Sequence, residues 1–131
     1  MKLLLSVLLI GTSAFAEGYS KKFKCEGSNS YGTAKVYTSA KSINHLSRPA
    51  VFITSKSTGK TWLSYGASEI QGAAVNDLLN SYVVSGNDDD HYSLIIPKDL
   101  SNENFNGLLQ RVFHGKIIDE TIVLCEISNP N

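Results

Sequence analysis

The chain has 131 residues, and its 12 basic and 12 acidic side chains bring the formal net charge at neutral pH to zero. A chain without excess positive charge has no electrostatic basis for binding nucleic acid or an anionic membrane surface, so we expect neither partner. Hydrophobic residues make up 42% of the chain, as in ordinary globular proteins, and the length suits a single domain.

Residues 1–16 have the pattern of a secretory signal peptide. Lys2 precedes an apolar run at residues 3–10, and residues 14–16 (Ala-Phe-Ala) match the small-x-small site at which such signals are cleaved. The apolar run is too short to cross a bilayer as a helix, which takes about 20 residues. We therefore predict an exported protein, periplasmic or extracellular, with a single β-barrel domain at residues 17–131 that does not insert into a membrane.

The first part of the predicted domain begins with two short strands. Residues 22–26 alternate between charged and apolar side chains, which directs Phe23 and Cys25 inward. A second strand is predicted at residues 34–38. We expect an irregular polar connection to follow it through residues 44–49, because this stretch lacks clear alternation and contains a proline.

A hairpin is predicted next. Residues 50–54 and 61–65 are rich in β-branched and aromatic side chains, and they flank a polar loop at residues 55–60 that contains a glycine. The apolar spacing of residues 68–79 fits a helix as well as a strand that breaks at Gly72. We favour the strand, followed by a short turn.

The last third of the chain also has the composition of strands. Residues 81–84 and 92–96 are two short apolar runs, and proline ends the second of them. Residues 105–113 and 120–127 form a long terminal hairpin around a turn at residues 114–116, because both arms are rich in β-branched or large apolar side chains. Seven or eight strands without a long helix predict an all-β fold, either a small antiparallel up-and-down barrel or a β-sandwich.

The chain has two cysteines, Cys25 and Cys125, in the first and last predicted strands. In an exported chain we expect them to form a disulfide, which would close a loop of about 100 residues and stabilise the fold by roughly 4 to 5 kcal/mol in the chain-entropy model. Two separate buried thiols are the alternative. Pairing places the first and last strands side by side, as in an up-and-down barrel.

One acidic loop could hold a divalent cation. Asp88, Asp89, Asp90 and His91 follow one another, and their oxygens and imidazole could bind calcium, although the spacing does not match an EF-hand. The remaining histidines, His45 and His114, form no zinc-binding pattern with His91. A metal-binding protein or small enzyme that uses residues 88–91 together with His114 is therefore the alternative function.

Trp62 and Tyr65 lie three positions apart in one predicted strand, so alternation places them on opposite faces. At most one of these rings points into the core. The other could stack on a sugar ring or enter a pocket of a partner protein. The more favoured position for Trp62 is inside the barrel.

A small exported barrel with one cysteine near each end resembles, in outline, the periplasmic inhibitors of C-type lysozyme, which insert a loop into the cleft of the enzyme. Their Ser-Gly-x-x-Tyr signature does not occur in this chain, so no binding residues are carried over. No catalytic serine, cysteine or histidine motif is found either. We predict a non-enzymatic protein that binds an envelope or secreted protein, or an envelope glycan, through its loops, in an inhibitor-like or accessory role and without a cofactor.

Overall fold

A computed structural model describes residues 21–42 and 44–128, so the predicted signal peptide lies outside the described residues. These residues form ten strands, namely β1 (Lys21–Asn29), β2 (Gly32–Ser42), β3 (His45–Ser55), β4 (Thr61–Tyr65), β5 (Glu69–Gln71), β6 (Ala73–Ala74), β7 (Leu79–Gly86), β8 (Asp90–Pro97), β9 (Asn104–Phe113) and β10 (Lys116–Ser128). The predicted all-β class is confirmed. None of the described residues belongs to a helix that could cross a membrane.

All ten strands belong to one antiparallel sheet with the order β4-β3-β2-β1-β10-β9-β8-β7-β6, and β5 also pairs with β3. Most neighbours in the sheet are consecutive in the chain, as in an up-and-down barrel, and residues 21–42 and 44–128 form no second sheet that would make a sandwich. The sheet curls into a half-barrel, with β3 and β4 approaching β7. We call the approach between β4 and β7, which share no ladder, the seam.

The first and last strands pair at the centre of this sheet. Cys25 lies directly opposite Cys125, and their α-carbons are 3.9 Å apart. The two residues form the predicted disulfide, which is therefore confirmed. Both cysteines are fully buried on the concave face, where Phe23 and Val123 are buried as well.

The predicted irregular connection at residues 44–49 is wrong, because β3 already begins at His45. Arg48 has a φ of 51°, and its amide donates to the Ser68 carbonyl at 3.1 Å. This local bulge breaks the alternation seen in the sequence without ending the strand. On one side β3 pairs with β2 along its length, and on the other it pairs with β5 before the bulge and with β4 after it.

The ambiguous stretch at residues 68–79 contains the two short strands β5 and β6, so the predicted extended conformation is confirmed. A glycine separates them because there is no room for a side chain: a β-carbon on Gly72 would lie 2.7 Å from Cε2 of Tyr82. These two strands have only 3 and 2 residues, and the other described strands number eight, the upper end of the predicted range.

The hydrophobic core fills the concave side of the curled sheet. Side chains that alternate inward are buried on every long strand, and they include Val36, Val51, Val84, Leu94 and Val123. One end of the half-barrel, which we call the base, is covered by the connection between β8 and β9, where Leu100 is buried. The opposite end, which we call the mouth, carries the connections at residues 30–31, 56–60, 87–89 and 114–115.

Candidate functional site

Near the mouth, the concave face changes from aliphatic to aromatic and charged. Trp62 pairs with Ile53 across β4 and β3, and Tyr92 pairs with Arg111 across β8 and β9. Ile53, Tyr92 and Arg111 each lie two residues closer to the mouth than a core residue of the same strand, namely Val51, Leu94 and Leu109. The curl of the sheet therefore brings two pairs from opposite sides of the half-barrel together.

These pairs line an open cavity of about 390 Å³, which we call the mouth groove. Its lining residues are Ile53, Trp62, Ser64, Ser85, Gly86, Asp90, His91, Tyr92 and Arg111. The volume falls in the range of about 300 to 1,000 Å³ that is usual for small-molecule sites, and barrel mouths are a common place for such sites.

Two aromatic rings form one wall of the mouth groove. The ring centroids of Trp62 and Tyr92 are 5.9 Å apart, with an angle of 42° between the ring planes. Trp62 remains 52% exposed, whereas Tyr92 is half-buried. Burial raises the pKa of the Tyr92 hydroxyl, so this group keeps its proton at neutral pH and can donate a hydrogen bond.

An ion pair lies beside these rings. Arg111 donates from Nε to Oδ1 of Asp90 at 3.0 Å and from Nη2 to Oδ2 at 2.8 Å. The guanidinium carbon is 6.0 Å from the centroid of the Tyr92 ring, at the outer limit of a cation–π contact. The hydrogen bonds from Arg111 are the main reason why the pKa of Asp90 lies below its ordinary value of 3.8. Two parallel bonds fix both side chains in a common plane.

A small cavity of about 40 Å³ lies next to the mouth groove toward β1 and β10, and Tyr92 and Arg111 line both. In it, Nδ2 of Asn29 lies 3.0 Å from Oδ1 of Asp119 and 2.8 Å from Oγ1 of Thr121. Asp119 lies opposite Arg111 in the register of β10 and β9. The guanidinium therefore has carboxylates on both neighbouring strands, Asp90 on β8 and Asp119 on β10.

The seam forms the boundary of the groove toward the base. The hydroxyls of Ser64 on β4 and Ser85 on β7 are joined by a short hydrogen bond. Just beyond β4, Gly66 approaches β7 so closely that a β-carbon on it would lie 2.4 Å from the Val84 carbonyl oxygen. These contacts hold β4 and β7 together although no ladder connects them.

The two aromatic residues predicted from the sequence as ligand contacts lie on opposite faces of β4. The favoured prediction that Trp62 packs inside the barrel is wrong, because its side chain lies in the mouth groove and stays half exposed. Tyr65 is 70% exposed on the convex side, away from the groove. A direct role in binding stays a prediction for both.

The acidic loop consists of Asp88 and Asp89, in the connection between β7 and β8 at the mouth, and of Asp90 and His91, which begin β8. Asn87 organises it, because its Oδ1 accepts hydrogen bonds from the amides of Asp89 and Asp90 at 2.9 and 3.1 Å. Of the three carboxylates, that of Asp90 is bonded to Arg111. Within residues 21–42 and 44–128, no three His, Cys, Asp or Glu side chains converge as metal ligands would. Calcium binding by this loop stays a prediction.

The structure brings two of the three histidines to the mouth. The amide of His114 donates to the Asp89 carbonyl at 2.7 Å, which joins the turn between β9 and β10 to the acidic loop. His91 lies in the same loop, with Nδ1 3.0 Å from the Asn87 carbonyl oxygen. His45 begins β3 at the base, near Ser42, and takes no part in this cluster.

Sequence reasoning missed Tyr92, Arg111 and Asp119 as members of the site. A usable signal existed for Arg111, because alternation in its strand gives it the same inward direction as Leu109. A charged residue on a core-facing position needs a partner. The partner could not be identified before the pairing of β8 with β9 was known.

Comparison with known proteins returned no matching family model, no matching curated protein and no matching solved structure.

Proposed function

We propose that this protein is an exported, non-enzymatic binding protein that holds another molecule in the mouth groove and between the surrounding loops. The observation that carries the proposal is the position of Trp62, half exposed in a concave site beside a fixed ion pair. A large aromatic surface left open to water in a cavity gains free energy when a ligand covers it.

The binding partner is an envelope or secreted protein, or an envelope glycan. Four connections surround the mouth, and Tyr31 on one of them is 73% exposed. Such loops can extend the contact beyond the groove. Export is supported by the predicted signal peptide and by the disulfide between Cys25 and Cys125, since disulfides persist in oxidising compartments.

The chemistry of the groove supports binding more than catalysis. Asp90 is the carboxylate at the centre of the site, and both of its oxygens accept hydrogen bonds from Arg111. These bonds lower the pKa of Asp90, so it stays ionised and is a poor proton donor. General acid catalysis needs a carboxyl group with the opposite shift.

Photo-cross-linking tests where the partner binds. A photoreactive phenylalanine analogue is placed at position 31 on the mouth, or at position 122 on the convex face of β10, where Tyr31 and Ile122 are 73% and 75% exposed. In cells that secrete the protein, we expect discrete adducts from position 31 and none from position 122. Trp62→Ala should reduce the adducts from position 31 strongly.

Equal cross-linking from both positions would contradict the proposal, because it would show nonspecific encounters with other molecules and no preferred binding surface at the mouth. Adducts from position 31 that are unaffected by Trp62→Ala would also contradict it, since they would place the partner outside the groove. Circular dichroism of each variant checks that the strands are retained.

A further inference from the structure

We infer that the ligand of the mouth groove is a neutral saccharide, whose ring covers Trp62 and whose hydroxyl groups bond to Asp90 and Arg111. The inference rests on the proposed function, because it names the ligand class of the same groove. It is carried by three features of the groove: the exposed indole, the bonding capacity of the ion pair and the balance of charge.

The indole offers a flat apolar surface beside the polar groups of the groove. Tyr92 packs against Trp62 with ring centroids 5.9 Å apart, while about half of the tryptophan surface remains open. The complementary ligand has one flat face of C–H groups and polar groups around its edge. A pyranose ring has this form, and its C–H face contacts aromatic rings favourably.

The ion pair has hydrogen-bonding capacity left over. Its two bonds use two of the five N–H donors of Arg111, and one acceptor position on each oxygen of Asp90. The remaining donors and acceptors lie in one plane. Neighbouring hydroxyls of a sugar can accept from the guanidinium and donate to the carboxylate at the same time, because each hydroxyl is both donor and acceptor.

The charges in the groove favour a neutral ligand. Asp90 and Arg111 are the ion pair of the groove lining and compensate each other, whereas Asp119 does not line the groove. An anionic ligand would meet the Asp90 carboxylate, and a cationic ligand would meet the guanidinium. The imidazoles of His91 and His114 also lie near enough to influence the Asp90 carboxylate. A charged ligand of either sign therefore gains no electrostatic stabilisation in the groove at neutral pH.

The seam argues against a peptide as the ligand. An extended peptide would gain most by adding a strand to β4 or β7 beside the groove. However, the hydroxyls of Ser64 and Ser85 are bonded across this gap, and Gly66 lies against the Val84 carbonyl oxygen. An added strand needs about 4.8 Å of spacing from each neighbour, which the seam does not offer.

Trp62 is the only tryptophan of the chain, so its fluorescence reports occupancy of the groove directly. The oxidised protein is titrated with neutral trisaccharides of glucose, galactose, mannose and N-acetylglucosamine. A trisaccharide of glucosamine and one of galacturonic acid serve as cationic and anionic counterparts. We expect a saturable change in emission with at least one neutral trisaccharide, and binding at least about tenfold weaker to both charged ones, a difference of about 1.4 kcal/mol.

Variants identify the groups that bind. Arg111→Ala and Asp90→Asn should each weaken binding of the neutral trisaccharide by about tenfold or more. Tyr65→Ala should leave the affinity for the neutral trisaccharide unchanged, because this exposed aromatic residue lies on the other face of β4. Should Arg111→Ala fail to fold, Asp90→Asn and the charged trisaccharides still decide the question.

Two results would overturn the inference while leaving the proposed function intact. One is the absence of any response to neutral trisaccharides at millimolar concentration while position 31 still cross-links to a protein. The other is tighter binding of a charged trisaccharide than of every neutral one. If neither saccharides nor Trp62-dependent cross-links are found, the proposed function fails as well.

Discussion

Asp90 joins the acidic loop to the inner wall of the half-barrel. Its amide is held by Asn87, and its carboxylate is held by Arg111 on β9. Asp90 is the first residue of β8, so the direction of the guanidinium in the mouth groove depends on how the turn at Asn87 leads into this strand. A change in this turn would alter the binding surface at the mouth.

The ion pair makes stability depend on pH at the acidic end. The pKa of Asp90 in the folded protein is below 3.8, so the pair stabilises the fold fully above that pH and loses this contribution as pH falls through the lower folded value. We expect Asp90→Asn to lower the denaturant midpoint at about pH 7, and the difference between the midpoints of this variant and wild type to shrink as the pH falls below 3.8.

Asp89→Asn is the matched control for this pH series. It removes one negative charge from the same loop, but the side chain of Asp89 is not the one bonded to Arg111. A difference between wild type and Asp90→Asn that stayed constant from neutral to acidic pH would contradict a role for the ionised carboxylate.

The residues of the site differ in how far sequence could predict them. The opposite directions of Trp62 and Tyr65 follow from alternation within one strand, which needs no knowledge of the fold. The bond between Asp90 and Arg111 joins residues 21 positions apart, and it requires the register of β8 against β9. That register depends on the connection at residues 98–103, whose conformation the local sequence does not specify.

At the level of elements, β3 is the strand on which the seam depends. Its bulge at Arg48 allows β5 and β4 to pair with successive parts of the same edge. The bulge also explains why sequence reasoning placed an irregular connection here. Periodicity detects a strand only where the alternation is continuous, and a residue with a positive φ shifts it by one position.

Gly66 provides a test of the seam. A β-carbon at this position would lie 2.4 Å from the Val84 carbonyl oxygen and 2.6 Å from Cγ of Pro49. The backbone atom on β7 cannot give way without moving the strand. We expect Gly66→Ala to lower the free energy of unfolding by about 1–3 kcal/mol, measured by denaturant titration. An unchanged midpoint would show that β4 separates from β7 without cost.

At the scale of the whole molecule, the disulfide joins the strands with which the described chain begins and ends. This disulfide was predictable, because two cysteines in alternating strands are expected to pair in a chain that carries a predicted export signal. The position of the seam was not predictable. It depends on how strongly ten strands curl, which is a property of the assembled sheet and of no single segment.

Removal of the disulfide should destabilise the whole fold rather than one end of it. Cys25 and Cys125 are 100 positions apart, so the bond restricts nearly all of the unfolded chain. We expect the double variant Cys25→Ala with Cys125→Ala to lose about 2–5 kcal/mol of unfolding free energy relative to the oxidised protein. Urea titration measures the loss, and reduced wild-type protein is the matched control. Equal midpoints of the oxidised protein and the double variant would contradict this expectation.

The pairing of β1 with β10 also determines how the molecule can be attached to anything else. Lys22 lies opposite Ser128 at the base, so both strands leave the sheet on the side remote from the mouth. A tether, fusion partner or solid support joined through either of these strands would hold the molecule at its base. The groove would then point outward toward the surrounding medium, as the receptor layer of a biosensor requires.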